Sequence, residues 1–133
     1  MRVGTFLILG YLTTTILACS TPQPLPDSTR VPITSLRQIL GKWEGVSKRL
    51  PDMRDHAQVM LIISDNGHFN FVSDRGTDLL LGTGAITLAD GKAYGENSSG
   101  RGTLTLHQKA GETVLVVEAA LSDGNHYYIE MAR

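Results

Sequence analysis

Through its second half the chain alternates apolar and polar positions with a period of two, interrupted at short intervals by turn signals. Val59, Leu61 and Ile63 share one face of a strand, as do Phe69 and Phe71. Ile86 with Leu88, Leu104 with Leu106, and Leu115 with Val117, Ala119 and Leu121 repeat the pattern. Tyr127, Ile129 and Met131 complete it. On the opposite faces Thr103, Thr105, His107, Glu118 and Glu130 suit solvent. Turn signals fall at Asp65-Asn66-Gly67, Arg75-Gly76, Asp90-Gly91, Ser99-Gly100, Ala110-Gly111 and Asp123-Gly124-Asn125. They separate eight predicted strands: Lys42–Lys48, Ala57–Ser64, His68–Ser73, Leu79–Leu88, Ala93–Asn97, Gly102–Gln108, Thr113–Leu121 and His126–Arg133. Sequential hairpins in that number predict an all-β fold, an antiparallel up-and-down barrel, with a two-sheet sandwich as the rival.

Two segments break the alternation. Thr34 or Ser35 can cap a short helix carrying Leu36, Ile39 and Leu40 on one side, ended by Gly41. The second predicted strand is apolar on both faces, because Met60 and Ile62 point away from Val59, Leu61 and Ile63. Either the short helix folds over that outer face, or the face is an open patch for a partner or a second copy.

The amino end has a different composition. Met1 and Arg2 precede an apolar run from Phe6 to Leu17, which is short for a membrane span and holds Gly10 and three threonines. From Ser20 to Ile33 lie four of the five prolines, an extended tether. At about 3.1 Å per residue it would hold a domain on the order of 40 Å from its anchor. The expected organisation is therefore a leader over 1–18, an anchor and tether over 19–33, and one folded domain over 34–133.

The Ile16-Leu17-Ala18-Cys19 ending resembles the bacterial lipobox, whose cysteine is acylated after the leader is cut. That resemblance implies lipidation at Cys19 and attachment to the membrane through several acyl chains, which anchor stably where one would not. Cys19 is the only cysteine, so no disulfide can form within the chain. Ser20 follows it, and by resemblance to enterobacterial lipoproteins this implies the outer membrane of the cell envelope, on the periplasmic side.

The only tryptophan stands in Gly41-Lys42-Trp43-Glu44-Gly45, at the start of the first strand. Gly41, Trp43 and Gly45 share a face, so the indole points inward with no bulky neighbour on its own strand. This stretch resembles the calycins, the lipocalin-like and avidin-like barrels whose first strand begins Gly-x-Trp. The resemblance implies a lipocalin-like barrel with one end closed by Trp43, and a basic residue of the last strand, here Arg133, packed across it.

Charge and chemistry narrow the function. The formal net charge is −1 and aromatic residues are sparse, which argues against a nucleic-acid partner. His56, His68, His107 and His126 lack the spacing of a metal pair, no cofactor is implied, and no nucleophile motif surrounds Ser98-Ser99-Gly100. The reading is non-enzymatic. An eight-stranded barrel either fills itself or holds one small ligand, and the bulky inward set predicts a narrow interior. Phe69, Phe71, Leu104, Leu106, Tyr127 and Ile129 are the candidate lining for a small apolar or amphipathic ligand. Lys48, Arg49 and Arg54 form a small basic cluster that could meet an anionic head group at the barrel mouth, or simply be a solvated loop. A protein-binding module, such as an inhibitor of a protease or lysozyme, is the second reading. A structural accessory with a solid barrel is the third.

Overall fold

The structure, a computed structural model, describes residues 23–74 and 82–133. Among these, a two-residue strand β1 (Arg30–Val31) precedes a meander of eight: β2 (Gly41–Arg49), β3 (Arg54–Ile63), β4 (His68–Ser73), β5 (Gly82–Ala89), β6 (Lys92–Asn97), β7 (Gly100–Lys109), β8 (Glu112–Leu121) and β9 (His126–Ala132). Neighbours in sequence pair antiparallel throughout. β9 also pairs with β2, Gly45 opposite Met131 and Ser47 opposite Ile129, which closes the sheet into a barrel and excludes the sandwich. A Cβ at Gly45 would collide with the carbonyl oxygen of Glu130, so only glycine lets β2 and β9 meet there. The expected start, at Leu79, of the fourth predicted strand (observed as β5) lies outside the described residues.

The inward set forms one core. Val59, Leu61, Ile63, Phe69, Phe71, Leu104, Leu106, Leu115, Val117, Tyr127, Ile129 and Met131 are all buried. Phe69 fills the place where its neighbours have no side chains: it pairs with Gly84, and a Cβ on Gly84 would strike its ring. The barrel is thus packed across its middle by a ring set over glycine.

Two expectations about the segment before β2 need correcting. The predicted helix is a single 3-10 turn, Leu36–Gln38. Ser35 and Gln38 form a capping box at its start, and the chain must leave for β2 within a few residues, too soon for α-helical turns to propagate. The turn sits at the barrel end, where Ile39 is fully buried and Leu36 and Leu40 pack on the core; it does not cover Met60 and Ile62. The tether, in turn, is not free to Ile33. From Leu25 on it lies against the barrel as a strap: the 3-10 turn Asp27–Thr29, then β1 paired to β7, then Ile33, whose N–H donates to Gly91 O at 2.8 Å. Leu25, Val31 and Ile33 find apolar surface there, while the prolines between them keep the paired portion to two residues.

Candidate functional site

Three places were candidates for function: the closed end, the interior and the mouth. At the closed end the Trp43 ring is fully buried and its Nε1–H donates to Ile39 O at 3.0 Å. The Arg133 guanidinium lies 4.4 Å from the ring centroid and donates to Gln38 O and Leu40 O at 2.8 and 3.2 Å. One cation therefore covers the indole and satisfies two carbonyls of the chain that turns into β2. This end, with Gly41 and Gly45 flanking the indole, is a plug.

The interior leaves little room. Phe69, Phe71 and Leu104 border a void of about 20 Å³. That is room for one water, far below the few hundred Å³ of a ligand pocket. Leu106, Tyr127 and Ile129 belong to the same packed core. The six residues expected to line a ligand site instead pack against one another, because the inward set is large for the barrel's girth.

At the mouth two of the three cations of the basic cluster are paired with carboxylates and the third with an amide. Lys48 Nζ lies 3.0 Å from Asp55, Arg54 Nε lies 2.8 Å from Asp52, and Arg49 donates to Asn125 Oδ1 at 2.8 Å. Each cation on the expected anion site already has a polar partner: Asp55 at the start of β3, Asp52 in the β2–β3 loop, and Asn125 in the β8–β9 loop. Among the described residues no three His, Cys, Asp or Glu side chains gather as a metal would require. Cys19 lies outside the described residues.

What the structure adds is on the outside of the wall. Val46, Ile62 and Val72 are 37%, 37% and 41% exposed on adjacent strands β2, β3 and β4, with Met60 half-buried among them. Met60 lies between Glu44 and Val72 in a row across the three strands, with Ile62 beside it along β3 and Val46 on the diagonal. The row borders an open groove of about 560 Å³ whose charged residues are Glu44 and Asp74. Met60 and Ile62 were legible in the sequence; their continuation by Val46 and Val72 depends on register, which alternation alone does not give.

A second outer site lies beneath the strap. His107 and Thr105, expected in solvent, are buried, His107 to 2% exposure. Thr29 Oγ1 donates to Pro26 O at 2.8 Å, so toward His107 Nδ1, also 2.8 Å away, it accepts. The ring therefore carries its proton on Nδ1, and Nε2 accepts from the Thr105 hydroxyl at 2.9 Å. Burial and the Arg30 guanidinium hold the imidazole below its ordinary pKa of 6.5, against the opposing pull of Asp27, Glu130 and Glu118. Beside it Tyr128 accepts a 2.8 Å hydrogen bond from Leu25 N–H, and burial pushes its phenol up to about 12. Met53, Val114, Val116 and Tyr128 form a small outer core with Leu25 and Leu50 packed on it. Val114 and Val116 were the available signal, a second apolar face on β8 like that of β3.

Compared with protein-family models, with curated proteins and with solved structures, the chain finds no match in any of the three.

Proposed function

We propose that the chain is a lipid-anchored, non-enzymatic protein of the cell envelope, attached through Cys19 to the outer membrane on its periplasmic side, and that its lipocalin-like barrel is a protein-binding module. The observation that carries the binding reading is the contrast between a filled interior and an open outer row. A void of about 20 Å³ gives a small apolar ligand nowhere to sit. Met60 with Val72 across from it, Ile62 next along β3 and Val46 on the diagonal instead present apolar side chains to solvent. On that groove Glu44 is paired with Lys42 at 3.1 Å, which leaves Asp74 to favour a protein whose apolar side chains are flanked by a basic one. The anchor rests on the apolar run and the Ile16-Leu17-Ala18-Cys19 ending. The lipocalin kinship rests on Gly41-Lys42-Trp43-Glu44-Gly45 and on Arg133 across the indole.

The test is a photo-crosslinking residue at Val72 or, as the control on another wall, at Thr87, in cells making the full-length chain. The expected result is a discrete adduct from Val72 alone, lost when Met60→Asp is added to a chain that still folds. Adducts from neither position would leave a purely structural barrel. Native mass spectrometry showing one lipid retained per chain would overturn the reading in favour of a ligand carrier.

A further inference from the structure

The strap fixes where the chain leaves the barrel, and so how far the barrel can stand from its anchor. Leu25 is seated on the outer face of β8 and β9, held by Tyr128 Oη and packed with Val116 and Met53. From there the strap crosses to β7, where Thr29 meets His107, and continues as β1 with Arg30 opposite His107 and Val31 opposite Leu106. Ile33, which follows it, is buried in the main core. Between Cys19 and Leu25 remain six residue steps, which at full extension span about 20 Å. A tether free as far as Ile33 would span about 46–50 Å by the same measure.

A leash of that length attached to one wall cannot serve all walls equally. We propose that the docked strap holds the barrel close over the lipid surface with the β8–β9 face turned toward it. The inference rests on the lipid-anchor reading. β5 lies four strands from β9 in either direction around the closed barrel, so it forms the wall turned away. The partner on the near side is the bilayer itself, chosen by chain length. The groove on β2, β3 and β4 lies to one side of that face and stays accessible to a protein.

Because Cys19 is the only cysteine, an added thiol is the only one left to label in the lipidated protein. The experiment uses the full chain purified from membranes and reconstituted in phosphatidylethanolamine–phosphatidylglycerol vesicles containing a headgroup acceptor dye. A donor is placed at Asp52→Cys, beside Met53 and the strap, or at Ala85→Cys on β5. Energy transfer should be clearly higher from position 52 than from position 85. Inserting a ten-residue Gly/Ser segment between Ser20 and Thr21 adds about 33–36 Å of leash without touching the barrel, and the difference should then be lost. Hydrogen exchange over residues 25–33 should show the strap equally protected in both proteins.

Equal transfer from the two positions in the uninserted chain, with Cys19 acylated, would overturn the inference and leave the anchor standing. Unprotected strap amides would overturn it as well. Absence of fatty-acyl label on Cys19 would overturn the anchor reading and this inference together.

Discussion

β3 and β8 pose the same problem in sequence and receive opposite answers in structure. Each is apolar on both faces: Met60 and Ile62 lie outside on β3, Val114 and Val116 outside on β8. On β8 the outer face is roofed by the chain itself, by Leu25 of the strap and by Leu50 and Met53 of the β2–β3 loop. On β3 no described segment covers it, and Ile62 and Val72 stand in solvent. An apolar outer strand therefore calls for a cover without specifying its source. A covered face contributes to stability, whereas an open one is available for association.

The plug at the closed end sets the scale for testing that contrast. Trp43 is fully buried, and Trp43→Ala should cost about 3–5 kcal/mol through lost transfer energy and the cavity left behind. Arg133 is exposed, so its stacking is worth about 0.5–1 kcal/mol. Denaturant unfolding of Arg133→Ala, Trp43→Ala and the double variant should show non-additive losses, and simple addition would mean that the stack contributes nothing.

Two methionines probe the contrast with the same substitution, one in the roof over β8 and one on the open face of β3. Met53→Ala, which removes part of the roof itself, should cost about 2–3 kcal/mol, at the low end for a buried methionine because part of its neighbourhood is loop. Met60→Ala, on the open row, should cost less than about 1 kcal/mol. Equal losses would show that the β3 face is covered in solution and would weaken its role as a docking surface.

A finer probe is Tyr128→Phe, which removes the acceptor for Leu25 N–H while keeping the ring. The expected loss is about 1 kcal/mol, together with faster exchange of the strap amides. Unchanged exchange at Leu25 would mean that the roof is held by apolar contact alone.

The smallest expected effect is a dependence on pH confined to the covered face. The docked strap favours neutral His107, whose pKa lies below the ordinary 6.5. Its contribution is full above pH 6.5 and is lost as pH falls from there through the lowered value, because the released ring binds the proton more readily. Asp27 and Arg30 on the strap, Lys92 on β6, Glu118 on β8, and Tyr128 and Glu130 on β9 face the same region and modulate the response. Protection factors of the strap amides, taken relative to intrinsic exchange at each pH, should be lower at pH 5 than at pH 7.5, and His107→Gln should flatten that difference. A response as large at Met60 would point to global loosening instead.

By itself the sequence determined eight strands, their succession as hairpins and their inward faces, because alternation and turn residues are local signals with a fixed period, while closure of β9 on β2 was left to the structure. Trp43 as the inward residue of the first strand, and Met60 and Ile62 as outward apolar residues, were legible for the same reason. Tertiary structure decided what lay over each face. Whether Leu25, Val31 and Ile33 were tether or strap depended on surface supplied by β7, β8 and β9, far along the chain. Whether Phe69 and Leu104 lined a cavity depended on how well facing walls interlocked: Gly84, opposite by register, and Gly95, one strand further on β6, leave the space that the Phe69 ring closes. The bulk of the inward set was legible, but which side chains met across the barrel is set by volumes that come together only after the sheet has closed.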